Sequence, residues 1–195
     1  MTYQRAIPTM TSTPAFAGLT LRLRDFARGQ GGMAAVEFAV LLPFMLVAYL
    51  GGIEIGDGVA IDRKVAITTR AVADLVSRSP TIKNADMSGI LGASSTIIAP
   101  YPGGPLVVTV SEVTCDSKGV PTVTWSDSLN GSARPIGSAV TLPGTLATPN
   151  AAYIWGEVQY AYTPTLGYVM TGTWTLRNQI FMSPRQSASV TRVNS

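Results

Sequence analysis

Gly32-Met33-Ala34-Ala35-Val36-Glu37-Phe38-Ala39-Val40-Leu41-Leu42-Pro43-Phe44 opens the stretch whose reading decides how this chain is built. From Met33 to Ile55, 23 residues, only Glu37 and Glu54 are charged. As a helix at ~1.5 Å per residue that run is about 35 Å long, enough to cross the ~30 Å hydrocarbon core of a bilayer. A carboxylate inside such a span costs roughly 2.5–3.5 kcal/mol at its centre, so Glu37 calls for a partner. A plain membrane anchor that tolerates Glu37 near one end is the simpler alternative.

On the N-terminal side, residues 1–20 are rich in Thr, Pro and Ala and read as disordered. Leu19 to Ala27 reads either as a short basic amphipathic helix on the membrane surface or as plain flexible leader. On the other side the helix pattern continues. Ile61, Val65, Val72, Leu75 and Val76 recur at helical spacing, opposite Arg63, Lys64, Arg70 and Asp74. Ser79-Pro80 supplies the stop, because the residue before proline is driven out of the helical region. One long helix from about Ala34 to Arg78 is expected, with its second half amphipathic. Asn84-Ala85-Asp86-Met87 opens a second helix to about Ile98, with Asn84 or Asp86 as the cap.

Beyond Pro105 the pattern turns to strands. Leu106–Val110 and Val120–Trp125 flank Asp116-Ser117-Lys118-Gly119 and form an expected hairpin. Pro121 makes its second strand an edge strand or a late starter. Residues 126–150 read as a long loop, with a strand near Ala139–Leu142. Tyr153–Tyr162 and Thr173–Met182 form a second strand pair. In the first, Ile154, Val158, Tyr160 and Tyr162 share one face, and Trp155, Glu157 and Gln159 the other. Tyr153, Trp155, Tyr160, Tyr162 and Trp174 read as sheet core rather than a ligand face, with the outward Trp155 the one candidate for a ligand contact. Pro184 ends the sheet and a polar tail follows. The fold class is therefore α+β: a long N-terminal helix packed on a small antiparallel sheet. The expected segments are 1–32, 33–56 as the transmembrane helix, 57–100 as its helical continuation plus the second helix, and 101–195 as a β-rich domain.

Charge and composition narrow the function classes. The sequence pI is about 9.2, but four Arg against Asp25 lie before Met33, and the rest carries ten Lys/Arg and ten Asp/Glu. Without a basic stripe, nucleic-acid binding is not expected. With no histidine, no Ser-His-Asp or Cys-His arrangement can be built, and the usual His/Cys zinc sites are excluded. The Gly29–Gly32 stretch follows no strand and lacks the Lys-Ser/Thr of a phosphate loop. Asp57 with Asp62 reads as solvated charge or, less simply, as cation ligands. No catalysis, metal, cofactor or small-molecule substrate is expected. Cys115 is the one cysteine and reads as a small packed hydrophobe, or as an intermolecular disulfide partner. The apolar run is too long for a signal-peptide core of 7–15 residues. Flanking arginines favour a cytoplasmic N-terminus only slightly.

Gly32 followed five residues later by Glu37-Phe38, at the mouth of an apolar helix and after a basic leader, resembles the processing site of type IV prepilins. With Ala35-Val36-Glu37-Phe38-Ala39-Val40-Leu41-Leu42-Pro43-Phe44, and Gly51-Gly52-Ile53-Glu54 closing the span, it most closely resembles TadE-like pseudopilins of the tight-adherence (Tad/Flp) pilus system. The strand segments VQYAYTP and FMSPR are similar to the C-terminal part of the same family. The resemblance implies a pilin-like fold and cleavage by a prepilin peptidase between Gly32 and Met33, with residues 1–32 removed on the cytoplasmic side. It implies a single inner-membrane pass with a periplasmic C-terminal domain, and assembly with other pseudopilins and the assembly platform to prime or cap a pilus. Glu37 would then neutralise the free amine of a neighbouring subunit, since opposite charges in low dielectric relieve each other's desolvation.

Three further features of the span bear on assembly. Ala35/Ala39 and Gly52/Gly56 are small-xxx-small pairs that let helices approach closely in lipid, or ordinary small residues in an apolar helix. Pro43 leaves the Ala39 carbonyl without its helical donor and loosens the span. Two other arrangements use the same residues: a signal-anchored periplasmic binding module, and a membrane-complex subunit that is never cleaved.

Overall fold

The computed structural model describes residues 30–164, Gly167 and residues 171–193; the leader reading, including Leu19–Ala27, lies outside them. The chain divides into two compact units, Met1–Tyr49 and Leu50–Ser195. The described part of the first is the beginning of one helix, α1 (Gln30–Ser77), which contains Pro43. Leu, Met, Ala and Val dominate its apolar part, and in lipid an α-helix satisfies every backbone group internally. Residues Met33 to Tyr49 are all exposed.

Within the second unit, α1 from Leu50 onward carries a buried stripe. Ile61, Val65, Val72 and Val76 are each 0–1% exposed, joined by Ala73, Thr68 and Thr69. The two threonines return their hydroxyls to Lys64 and Val65 carbonyls one turn back, 2.8 Å away in each case, so their burial leaves no polar group unpaired. Leu75, expected on the stripe, is 42% exposed. The buried stripe runs instead through the adjacent pairs Thr68–Thr69, Val72–Ala73 and Val76–Ser77 at intervals of four, which leaves Leu75 at its margin. The helix ends at Ser77, three residues before Pro80, as that proline requires.

The second helix, α2 (Asn84–Ile97), begins at Asn84 itself, so its cap lies one residue before the first of the two expected. Lys83 occupies the N-cap position, and Asp86 reaches back to accept the Lys83 backbone N–H at 3.2 Å. Asp86 thus serves the helix start from the third helical position rather than as the cap itself. Met87, Leu91 and Ser94 form its buried side, and the Lys64 ammonium donates to the Ile97 carbonyl at its far end, 3.2 Å away.

Four strands make the main sheet: β2 (Leu106–Cys115), β3 (Pro121–Leu129), β4 (Ala152–Tyr162) and β5 (Trp174–Met182), in the antiparallel order β3-β2-β4-β5. β3 starts at Pro121 on an edge, where a missing N–H breaks no ladder. The β2–β3 turn holds because Gly119 takes φ +80° and the Asp116 carboxylate accepts the Lys118 and Val120 N–H groups, both at 2.8 Å. A register shift between Glu112 and Val113 marks a bulge in the β2–β3 pair.

Alternation sorts the sheet into two cores. Leu106, Val108 and Val110 of β2 join Ile154, Val158, Tyr160 and Tyr162 of β4 and the buried stripes of α1 and α2. On the opposite face Val113, Cys115, Tyr153 and Trp155 form a smaller cluster with Leu142 from the long loop. The strand expected near Ala139–Leu142 is absent there: Ala139 makes an isolated bridge to Thr122, and Leu142 contributes a buried side chain instead.

The polar tail does not trail away. Thr191–Val193 (β6) pairs in parallel with Thr81–Lys83 (β1), and Val190 is 0% exposed. Two short strands of three residues each leave no periodic signal, and Val190 is a lone apolar residue among Ser, Thr and Arg. The Trp125 indole donates to the Val190 carbonyl at 2.8 Å, and the Val190 N–H to Glu112 Oε1 at 2.6 Å. Arg192 binds Asp127, with Nε 2.8 Å from Oδ2.

Candidate functional site

The residues singled out at the head of the span all lie on α1. Gly32 is buried, whereas Met33 is 68% and Phe38 58% exposed, and Glu37 is exposed between them. Among the described residues Glu37 has no ion pair or hydrogen bond. The surrounding surface is apolar over several turns, with Val36, Leu41, Phe44, Met45 and Tyr49 outward. An apolar surface of that extent requires lipid or other helices to cover it. Among the described residues, one helix is long and apolar enough to cross a membrane, and it is this one.

Ala35, Ala39, Gly52 and Gly56 are exposed as well. A Cβ placed at Gly52 or Gly56 would meet nothing within 4 Å, so these glycines serve no contact inside the described fold. Pro43 sits among exposed residues of the same stretch.

Glu54 marks where the environment changes. It is 2% exposed, in a unit that starts at Leu50, and its backbone carbonyl accepts the Tyr162 hydroxyl at 3.1 Å. A Cβ on Gly58 would lie 3.5 Å from the Tyr162 ring, so β4 meets α1 along Glu54 to Gly58. Burial pushes the Tyr162 phenol up from its ordinary value, with Asp57 and Glu54 adding to the shift. The hydroxyl therefore stays a donor across the physiological range.

Two polar constellations escaped the sequence reading. The Glu112 carboxyl is 2% exposed inside the main core; burial pushes it up, opposed by its bonds to the Val190 N–H and Trp125. Arg134 meets Glu157 in a two-pronged pair, both contacts at 2.7 Å, and its guanidinium carbon lies 3.8 Å from the Trp155 ring centroid. Trp155 also stacks on Phe181 at 5.3 Å. Its outward position is thus filled, at 8% exposure, and not a ligand face. Alternation alone could not show this, because the covering residue comes from a loop twenty residues away. Cys115 lies 5% exposed in the same cluster.

Asp57 and Asp62 are both exposed, and no group of three or more His, Cys, Asp or Glu gathers among the described residues.

No curated protein and no solved structure matches the chain. A family model described as TadE-like protein matches residues 32–74, a segment that begins at Gly32 and ends on the amphipathic part of α1. The match covers residues 32–74 alone, so this part of α1 is similar to a TadE-like protein.

Proposed function

We propose that the protein is a minor pseudopilin of a Tad/Flp pilus, cleaved between Gly32 and Met33 by a prepilin peptidase and assembled with other pseudopilins to prime or cap the filament. The observation that carries this reading is the coincidence of the TadE-like match with an exposed, membrane-length apolar helix whose early charge is Glu37. The N-terminus is cytoplasmic before cleavage, and the β-rich domain, 101–195, lies in the periplasm.

The chemistry follows from what cleavage does to charge. The Gly32–Met33 peptide bond is neutral. Its hydrolysis leaves a free Met33 α-amine, a basic group that carries a positive charge when protonated. On a helix entering lipid, that cation and the Glu37 carboxylate each carry a desolvation cost. Pairing the amine of one subunit with Glu37 of its neighbour offsets both costs, so processing switches on association. Exposed Ala35/Ala39 and Gly52/Gly56 let the paired helices come close, and Pro43 softens the segment that must leave the bilayer.

The test is the mass and sequence of the N-terminus in membranes of the native host. Protein from a strain with active prepilin peptidase should begin at Met33, and protein from a strain lacking it should retain residues 1–32. An unprocessed chain in the first strain would leave an uncleaved anchor and overturn the pseudopilin reading.

A further inference from the structure

β5 is the one outer strand of the main sheet whose far side is bare among the described residues. The other edge, β3, is occupied: the Val123 N–H donates to Ser138, its carbonyl accepts from Gly137, and the Pro121 carbonyl accepts from Val140. β5 pairs with β4 through nine residues in unbroken register, and no backbone bond reaches it from the opposite side. It holds no proline and no bulge, the usual guards of a free edge.

Beside this edge runs a groove of about 610 Å³ between α1 and β5. Ile67, Ala71, Ile180 and Met182 make its apolar floor, with Arg70 and Arg185 among its lining residues. Ile67 is 55% exposed, a large apolar side chain beside an open ladder. Asp74, also in the groove, is shared by Arg78 and Arg185. Arg70 and, on the other face of β5, Arg177 are exposed and have no ion-pair partner among the described residues.

We infer that the β5 edge and its groove receive an extended, acidic segment of a partner polypeptide, which adds as a fifth strand to the sheet. Main-chain bonds to β5 supply the affinity, alternate apolar side chains fill the groove, and the carboxylates between them, on the opposite face of the added strand, meet Arg177. Charge argues against a second copy here: two β5 edges brought together would face arginine with arginine. Over Pro121–Val123 the β3 edge of another copy is closed to β5 by the 137–140 segment already bonded there. This inference is independent of cleavage at Gly32.

Full-length protein in detergent, titrated with capped nine-residue peptides alternating valine with glutamate, lysine or threonine, tests it. The glutamate peptide should slow amide exchange in β5 and bind at least tenfold more tightly than the lysine peptide, with affinity falling as salt rises. Arg177→Glu should reverse that preference; the exchange result on the unaltered chain stands if the variant does not fold. Equal binding of all three peptides, or no protection of β5 at millimolar glutamate peptide, would overturn the inference. So would protection of β5 by self-association without peptide, which would assign the edge to a second copy.

Discussion

At Gly156 a single missing carbon decides how closely α1 can lie on the sheet. A Cβ built there would come within 3.0 Å of the Ala73 Cβ and 3.3 Å of the Thr69 carbonyl oxygen. Gly156→Ala should force the helix outward and cost about 1–3 kcal/mol, the range for overpacking a tight core. Thermal unfolding would measure it, and adding Ala73→Gly should recover part of the loss. Glu112 carries a pH dependence of known sign. Its folded pKa is raised above the ordinary 4.5, so the native state holds the proton more tightly than the unfolded chain. Stability then falls as pH rises from 4.5 through the folded value and stays lower above it. Glu112→Gln keeps an acceptor for the Val190 N–H and removes the titration, so its unfolding midpoint should change less between pH 4 and pH 8 than that of the unaltered protein. Glu37→Gln belongs to the same scale. It should be inserted and cleaved normally, yet cross-link poorly to partner pseudopilins and form few pili, because a hydrogen bond to a charged group is worth about 1.5–3 kcal/mol. Normal piliation with full cleavage would mean that Glu37 is merely tolerated.

Among the elements, the least conspicuous has the clearest consequence. The β1–β6 ladder is three residues on each side, but it seats Val190, Trp125 and Glu112 together at one end of the core. Val190→Ala removes two buried methyl groups' worth of apolar surface, at about 0.8 kcal/mol per carbon, so a loss of about 2 kcal/mol is expected in chemical denaturation. A chain ending at Ser189 should lose more, because Glu112 and the Trp125 indole would then both lack their Val190 partner. A truncated chain as stable as the full one would show that the tail is ornamental. Helix α1, the four main strands and the turn at Asp116–Gly119 were legible in the sequence, since periodicity, Pro80 and a glycine turn mark them locally. β1, β6 and the inward seat of Leu142 were not. Three-residue strands carry no period, and their stability comes from neighbours more than a hundred residues distant.

For the molecule as a whole, the second unit should depend on the helix that enters it. Ile61, Val65, Val72 and Val76 lie in the same cluster as β2 and β4, so a fragment beginning at Leu50 should melt cooperatively and one beginning at Ser79 should be largely unfolded. Equal melting temperatures would separate the helix from the core. The sequence alone determined the membrane-length helix, the glycine–glutamate spacing at its head, the α+β class and the faces of β4, because each follows from periodicity or composition within one segment. Only the tertiary structure decided that Trp155 is covered by Arg134, that Glu112 is buried on a tail N–H, that Leu75 faces out, and that β5 is left open. Those outcomes depend on which distant segments arrive beside a residue, and the balance of burial against desolvation is set by that company, not by the local pattern.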